Sequence, residues 1–177
     1  MNLALVGFRG VGKSHVARLL GERLGWPVID ADVELQRRAQ RTIAEIFAAD
    51  GEQAFRDLET EVIADLTSQD GLVIAFGGGA VLRPENRAAI KSNCYAVWLT
   101  ADAETLMTRI AGDAATAAQR PGLTDKAPLD EIRHLLEVRE PLYRAAADGI
   151  VDTQTRTPEE AAAEIYELFA PLIESAS

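Results

Sequence analysis

The sequence predicts an α/β fold with three αβα layers around a central five-stranded parallel sheet. Short apolar segments alternate with longer amphipathic helical segments, which is the pattern of repeated βα units joined by right-handed crossovers. A glycine-rich segment joins the first apolar run to the first helical segment, as in phosphate-binding α/β proteins. We predict strands at Leu3–Val6, Val28–Asp30, Leu72–Phe76, Tyr95–Leu99 and Ile150–Asp152.

Seven helices account for the amphipathic segments, and two of them have clearly marked beginnings. Thr42 with Glu45, and Thr157 with Glu160, have the spacing of a capping box. Pro158 stands at the first position of the second of these helices, where proline is favoured. We predict helices at Lys13–Leu24, Ile43–Ala49, Glu52–Leu66, Pro84–Ile90, Ala103–Ile110, Leu129–Ala146 and Pro158–Leu172.

Length and composition fit one domain over residues 1–177. A chain of 177 residues that is 47% hydrophobic can bury one core and has no length left for a second domain. The formal net charge of −10 argues against a nucleic-acid partner, because neutralising phosphates requires basic stripes. The single cysteine, Cys94, excludes a disulfide framework, and its apolar surroundings favour a buried thiol over a nucleophile.

The sequence has no recognisable targeting or membrane signal. It lacks a signal-peptide pattern, and no segment approaches the roughly 20 apolar residues of a membrane span. We therefore expect a cytoplasmic protein with neither a membrane nor a nucleic-acid partner. We also expect it to be a monomer.

Residues 7–14 read Gly-Phe-Arg-Gly-Val-Gly-Lys-Ser, a complete P-loop between a predicted strand and a predicted helix. Its glycines let backbone N–H groups turn toward phosphates, and the helix N-terminus adds partial positive charge. Lys13 is expected to reach the β- and γ-phosphates of a bound nucleotide, and Ser14 to ligate Mg²⁺. The alternative, a glycine turn beside a surface serine, does not explain the strand–loop–helix context. The expected nucleotide-binding residues of this segment are Gly10, Val11, Gly12, Lys13, Ser14 and His15.

Two carboxylates follow the second predicted strand, at the sheet edge where the P-loop is expected. We assign Asp30 to Mg²⁺, through a water molecule, and Asp32 to orienting an attacking hydroxyl. Asp32 has an alternative role as the cap of the following helix, which is common for Asp at such a boundary. The neighbouring P-loop favours the catalytic role.

Two arginines and a glycine triplet complete the candidate substrate site. Arg56 and Arg139 each carry a guanidinium that can fork onto a carboxylate, although a helix arginine is more often simply solvated. Gly77, Gly78 and Gly79 follow the third predicted strand. Three successive glycines exceed what a tight turn requires, and they allow a substrate to approach the backbone closely.

The segment 112–128 interrupts the alternation of strands and helices. It is rich in Ala, Gly, Pro and Thr, and it contains Arg120. We predict that it is a mobile lid whose closure excludes water and brings Arg120 onto the transferring phosphoryl group.

Taken together, these motifs resemble the shikimate kinase family, small P-loop kinases of the nucleoside monophosphate kinase fold. The P-loop is generic, whereas the remaining motifs in this order are specific, and the resemblance spans nearly the whole chain. It implies transfer of the γ-phosphoryl group of ATP to the 3-hydroxyl of shikimate, in the pathway to chorismate and the aromatic amino acids. The motifs are residues 7–14, Asp30–Asp32, Gly51, Glu52, Phe55, Arg56, Glu59, Gly77–Gly79, Arg120, Pro121 and Arg139–Tyr143.

The resemblance also implies individual roles. Asp32, Arg56, Gly78 and Arg139 match shikimate-binding positions of the family, and Gly77 and Gly79 flank one of them. Arg109 falls where the family often places an arginine against adenine, and Arg120 matches the lid arginine. The expected catalytic residues are Lys13, Asp32 and Arg120.

Two positions depart from the family pattern. Gly122 gives the lid the sequence Arg-Pro-Gly-Leu-Thr where many members have Arg-Pro-Leu-Leu. His15 replaces a Ser or Thr that often follows Ser14, and we expect it on the helix surface rather than acting as a base.

Three other functions share parts of this pattern. A gluconate-type kinase has less use for two carboxylate-binding arginines, and a nucleoside monophosphate kinase needs a second base-recognition pocket. A non-catalytic nucleotide switch does not require Asp32, Arg56 or Arg120, all of which are present.

Overall fold

The computed structural model of the protein describes residues 1–112 and 128–174. Each of the five predicted strands is present, and no strand end differs from its predicted position by more than one residue. The strands are β1 Asn2–Val6, β2 Val28–Asp30, β3 Val73–Ala75, β4 Cys94–Thr100 and β5 Gly149–Asp152. They form one parallel sheet in the order β2-β3-β1-β4-β5.

The central strand β1 is buried along its whole length. Leu3 and Leu5 belong to the apolar cluster on one face of the sheet, and Ala4 and Val6 belong to the cluster on the other face. A parallel strand covered on both faces is apolar at every position, because each side chain enters a core. The continuous apolar run in the sequence therefore reflects a strand between two layers of helices.

Seven helices surround this sheet within the described residues. One face is covered chiefly by α1, α5 and α7, and the other by α2, α3, α4 and the C-terminal part of α6. The helices are α1 Lys13–Leu24, α2 Ala31–Ala39, α3 Ile43–Thr67, α4 Pro84–Asn93, α5 Ala103–Gly112, α6 Pro128–Ala146 and α7 Pro158–Glu174.

Both predicted capping boxes are present. The Thr42 hydroxyl accepts a hydrogen bond from the Glu45 N–H, and the Glu45 carboxylate accepts one from the Thr42 N–H. Thr157 and Glu160 make the same reciprocal pair at the start of α7. These pairs satisfy N–H groups that have no partner within the helix and so fix where each helix begins.

Helix α3 corresponds to two predicted helices that meet at Gly51. This residue has φ 82° and ψ 176°, so the helical backbone is interrupted where the prediction placed the break between the two helices. A non-glycine residue rarely adopts such a φ. The kink turns the second half of α3, which carries Arg56, relative to the first half.

Helix α2 was not predicted. It follows β2 without a loop and buries only Ala31 and Leu35, so its sequence has little of the apolar periodicity that marks a helix. The Asp30 carboxylate caps it by accepting hydrogen bonds from the N–H groups of Asp32 and Val33. The capping residue is therefore Asp30, and Asp32 belongs to the first helical turn.

The structure agrees with the prediction for Cys94, which is a free, buried thiol. No helix among the described residues is long and apolar enough to cross a membrane. At one edge of the sheet, the carboxyl ends of β1, β2 and β3 lead into the P-loop, the Asp30–Asp32 segment and the glycine triplet respectively. Since the three strands are neighbours, these motifs are brought together.

Candidate active site

A cleft of about 470 Å³ opens at this edge of the sheet. The P-loop forms one side, and α2 and the segment after β3 form the rest. This location, outside the carboxyl ends of parallel strands, is the usual one for ligands in α/β proteins. The predicted site residues that line the cleft are Gly10, Gly12, Lys13, Ser14, His15, Asp30, Asp32, Gly77, Gly78 and Arg109.

The P-loop backbone depends on glycine at three positions. Gly7, Gly10 and Gly12 have φ values of 143°, 81° and 99°, which other residues rarely adopt. Two of these positions also have no space for a Cβ atom. A Cβ on Gly7 would lie 2.5 Å from the Leu99 carbonyl oxygen, and one on Gly10 would lie 2.7 Å from Cγ1 of Ile110.

Lys13 lies against the loop that precedes it. Its Nζ donates hydrogen bonds to the carbonyl oxygens of Gly7 at 2.8 Å and Phe8 at 2.9 Å. Charge-assisted hydrogen bonds of this kind hold an ammonium group more firmly than neutral ones. The positive charge is therefore held at the P-loop, where the phosphates are expected.

Ser14 and Asp30 form a direct pair at the start of α1. The Ser14 hydroxyl donates a 2.7 Å hydrogen bond to Oδ2 of Asp30, while Oδ1 of Asp30 caps α2. A hydroxyl next to a carboxylate supplies the hard oxygen donors that Mg²⁺ prefers. No group of three or more His, Cys, Asp or Glu side chains suited to a metal occurs in the described parts of the chain. These residues fit a magnesium ion that takes its other ligands from phosphates and water.

Asp32 lies beside Gly77 in the same cleft. A Cβ on Gly77 would be 2.4 Å from Oδ1 of Asp32, so glycine is needed there for this carboxylate to keep its position. The side chain of Asp32 is half-buried and lines the cleft together with the P-loop. A carboxylate in this position can accept a hydrogen bond from a hydroxyl brought close to the P-loop.

Arg56 is held on α3 by two carboxylates. Nη1 donates to Glu59 at 2.7 Å, and Nη2 donates to Glu52 at 3.3 Å. Its side chain is 12% exposed, and Glu59 is buried. The guanidinium lies against Gly79, and its Nε has no hydrogen-bond partner within residues 1–112 and 128–174. Arg56 is therefore not an ordinary solvated helix arginine.

Arg139 is also buried, on α6, and it contacts the glycine triplet. Its Nη1 donates to the carbonyl oxygen of Gly78 at 3.2 Å, and the Tyr143 hydroxyl donates to the same oxygen at 2.5 Å. The Arg139 guanidinium lies 5.7 Å from the centre of the Phe8 ring, and the Tyr143 ring stacks on Trp98. Arg139 thus lies between the P-loop and the glycine triplet.

Arg109 lines the cleft together with residues of the P-loop. Its guanidinium donates to both the side-chain and the main-chain oxygen of Thr153, at 3.0 and 2.7 Å. Arg109 and the P-loop thus line the same cleft, and the contact of Arg109 with adenine stays a prediction. Thr153 was not singled out in the sequence, because a threonine just after the last strand has no motif of its own. Arg120 and the predicted lid, apart from its end residues, lie outside the described residues.

Comparison with known proteins agrees with these motifs. The family model described as shikimate kinase matches residues 9–170. A shikimate kinase of Symbiobacterium thermophilum is 46% identical over 167 residues, covering 94% of this chain and 95% of the relative. A shikimate kinase of Rhodopirellula baltica is 43% identical and covers 93% and 88% of the two chains.

Solved structures give the same result. A shikimate kinase from Acinetobacter baumannii in complex with shikimate superposes with a TM-score of 0.89 at 36% identity, covering 97% of this chain and 93% of that one. The Aquifex aeolicus shikimate kinase gives 0.81 at 34% identity, with 98% of each chain covered. A gluconokinase from Sinorhizobium meliloti shares only the fold, at 17% identity and a TM-score of 0.61.

These relatives cover nearly the whole chain, and the family match includes every described motif of the cleft except the first residues of the P-loop, which precede it. The chain belongs to the shikimate kinase family of ATP-dependent kinases.

Proposed function

We propose that this member of the shikimate kinase family transfers the γ-phosphoryl group of ATP to the 3-hydroxyl of shikimate, with Lys13, Asp32 and Arg120 as its catalytic residues. The observation that carries the proposal is that the cleft places Asp32 opposite the P-loop, next to a glycine triplet that Arg139 contacts. A kinase of an acidic alcohol needs these three features close together, because the phosphate donor, the hydroxyl and the carboxylate belong to one reacting complex.

The P-loop side binds and neutralises the phosphates. Backbone N–H groups of Gly10, Val11 and Gly12 face the phosphate oxygens, and the Lys13 ammonium lies against the γ-phosphoryl group as its negative charge redistributes. Ser14 and Asp30 are the side chains that would hold Mg²⁺. When bound, this ion supplies further positive charge to the β- and γ-phosphate oxygens.

Asp32 acts on the hydroxyl group that receives the phosphoryl group. It accepts a hydrogen bond from the 3-hydroxyl and orients this oxygen toward the γ-phosphorus. As the new P–O bond forms, the bond from the γ-phosphorus to the bridging oxygen of ADP breaks, and the hydroxyl proton passes to the Asp32 carboxylate. Because phosphoryl transfer has a loose transition state, this proton moves late and the main contribution of Asp32 is positioning.

Arg56 and Arg139 bind the carboxylate of shikimate. Both guanidinium groups are largely buried and lie against the glycine triplet, where a bidentate pair with a carboxylate is shielded from water. The backbone of Gly77, Gly78 and Gly79 leaves room for the ring to approach. This local positive charge also allows a chain with net charge −10 to bind an acid.

The nucleotide side includes three further residues. His15 contacts the nucleotide from the first turn of α1, and Arg109 lies against the adenine. Arg120 reaches the γ-phosphoryl group from the predicted lid, about residues 112–128, and this part of the proposal rests on the sequence motif. We further propose that a single domain of residues 1–177 acts as a cytoplasmic monomer that needs Mg²⁺, ATP and shikimate, and has no membrane or nucleic-acid partner.

A coupled ADP-release assay tests the substrate. Shikimate should give turnover in the presence of ATP and Mg²⁺, whereas gluconate and AMP should give none above the ATPase background. Comparable turnover with gluconate or AMP would reject the proposed substrate.

The same assay on variants of Asp32 and Arg139 tests the roles assigned to these two residues. Asp32→Asn keeps the shape of the side chain but cannot accept the proton, so it should lower kcat more than it raises KM for shikimate. Arg139→Lys keeps the charge but loses the fork, so it should raise KM for shikimate and leave KM for ATP near its original value. The reverse pattern in either variant would contradict its role.

A further inference from the structure

Thr153 stands immediately after β5 and is only 4% exposed. Its Oγ1 lies 3.0 Å from the carbonyl oxygen of Thr100, 3.3 Å from the carbonyl oxygen of Val11, and 3.0 Å from Nη1 of Arg109. One buried hydroxyl therefore contacts the end of β4, the P-loop and a side chain that lines the cleft. Thr153 has no part in the proposed phosphoryl transfer itself.

The hydrogen-bonding capacity of a hydroxyl limits how these contacts are used. Arg109 can only donate, so Oγ1 must accept from Nη1. The single hydroxyl proton then goes to Thr100 or Val11, both of which offer carbonyl oxygens. Valine has the same shape as threonine and can do none of this.

Arg109 is held by two oxygens of this one residue. Nη1 donates to the side chain and Nη2 donates to the main-chain carbonyl at 2.7 Å, so the plane of the guanidinium is fixed as in a bidentate pair. The backbone of Thr153 is itself anchored, because its N–H donates to the Thr100 carbonyl oxygen at 2.8 Å. Because Oγ1 also lies 3.3 Å from the Val11 carbonyl oxygen, the residue that holds Arg109 packs directly against the P-loop.

We propose that Thr153 is a positioning residue for the nucleotide, which through its hydroxyl fixes the Arg109 guanidinium at a set distance from the P-loop. This inference rests on the proposed contact between Arg109 and the nucleotide. Thr153 itself does not touch the substrate. Its effect should therefore be confined to ATP and should disappear when Arg109 is removed.

The experiment compares steady-state kinetics and calorimetric ADP binding for Thr153→Val, Thr153→Ser and Arg109→Met. Loss of a hydrogen bond to a charged group predicts roughly a tenfold higher KM for ATP and Kd for ADP in Thr153→Val. KM for shikimate should stay within about twofold of the original value, since the shikimate side is untouched. Thr153→Ser retains the hydroxyl and should recover most of the lost affinity.

The double variant tests whether Thr153 acts through Arg109. With methionine at position 109 there is no guanidinium to position, so adding Thr153→Val should weaken ADP binding by no more than about twofold further. A full additional tenfold loss would overturn the inference. So would equal effects on the KM values of ATP and shikimate, which would indicate general loosening of the fold.

The outcomes also separate this inference from the proposed role of Arg109. If Arg109→Met weakens ADP binding and Thr153→Val does not, the positioning role fails while the role of Arg109 stands. If Arg109→Met leaves ADP binding unchanged, the proposed contact with the nucleotide is wrong, and the inference fails with it. Thr153→Ser behaving like Thr153→Val would also overturn it, because the hydroxyl would then not be the group that matters.

Discussion

Arg56 lies directly against Gly79. A Cβ atom at position 79 would be 2.4 Å from Nη1 of Arg56 and 2.9 Å from Cζ. Gly77 has the same relationship with Asp32, at 2.4 Å. Neither glycine has a positive φ, so the backbone conformation does not require glycine at either position. The two glycines instead leave space for two different functional side chains.

Gly79→Ala should therefore act on substrate binding. The methyl group displaces the Arg56 guanidinium, and the lost charge-assisted contact predicts roughly a tenfold higher KM for shikimate with little change in KM for ATP. Steady-state kinetics with each substrate varied in turn measure this. Gly77→Ala is the matched comparison, because it displaces Asp32 and should lower kcat instead. If Gly79→Ala and Gly77→Ala had the same effects on kcat and on KM for shikimate, this assignment of roles would be wrong.

Tyr143→Phe should also weaken shikimate binding, through the loss of a hydroxyl on a fully buried side chain. It removes the 2.5 Å hydrogen bond to the Gly78 carbonyl oxygen, which Arg139 shares. Loss of one buried hydrogen bond predicts about 1–2 kcal/mol less stability. Calorimetry should also show severalfold weaker shikimate binding, because Gly78 and Arg139 are less firmly held.

Tyr166→Phe is the control for this prediction. Tyr166 lies on α7, where its ring contacts Arg23, far from the glycine triplet in the fold. Its replacement should leave shikimate binding unchanged. If Tyr143→Phe and Tyr166→Phe changed shikimate binding equally, the contact between Tyr143 and Gly78 would have no role in binding.

Much of this fold follows from the sequence because its three inner strands are buried on both faces. The continuous apolar runs of β1 and β4 leave no other satisfactory structure for these residues. The two capping boxes and Gly51 mark helix boundaries by local chemistry, which acts within a few residues. Helix α2 escaped prediction because its stability comes from the Asp30 cap and from burial of Ala31 and Leu35 against other elements.

In the candidate site, too, some residues can be predicted from the sequence and others cannot. The P-loop and Asp32 are recognisable because phosphate chemistry requires fixed residue types at fixed spacing. The role of Gly77 and Gly79 as space for Asp32 and Arg56 depends on atoms brought together by the sheet and α3, and no spacing in the sequence reports it. Thr153 is a stronger example, since its partners at Val11 and Thr100 are 142 and 53 residues away.

Lys13→Ala should abolish turnover without unfolding the protein. The Nζ contacts with Gly7 and Phe8 place the ammonium at the P-loop, where the phosphates are expected. Loss of an electrostatic contact in the transition state predicts a fall in kcat on the order of 10³-fold or more. Lys91→Ala, on the exposed side of α4, should keep normal activity. A folded Lys13→Ala protein with near-normal kcat would exclude phosphoryl transfer at this P-loop.

Cys94 should be unreactive in the folded protein. Burial raises the pKa of its thiol to about 12, from an ordinary value of 9.0. A thiol-specific reagent at pH 8 should therefore modify the protein only after denaturant is added, since the thiolate is the nucleophile. Rapid modification of the native protein would contradict the burial of this side chain.

The same shift predicts a pH dependence of stability. Well below pH 9.0 the thiol is protonated in both the folded and the unfolded state and contributes no pH dependence. Between pH 9.0 and about 12 the unfolded chain loses this proton first, so the free energy of unfolding should fall as pH rises. Cys94→Ala removes this contribution. In denaturant titrations the difference between the two proteins should therefore change by up to about 1.4 kcal/mol per pH unit in this range.

Arg120→Ala should separate binding from chemistry most clearly. In the proposed function this guanidinium contacts the γ-phosphoryl group, and a contact that strengthens only as charge redistributes lowers the barrier without tightening the ground-state complex. We expect kcat to fall on the order of 10²–10³-fold, while calorimetry gives a Kd for shikimate within about twofold of the original. Arg133→Ala is the matched control, because Arg133 lies on the exposed surface of α6 in ion pairs with Glu104 and Asp130, and its loss should change neither quantity. An Arg120→Ala enzyme with unimpaired kcat, or one that loses shikimate affinity in proportion to rate, would show that Arg120 does not stabilise the transition state.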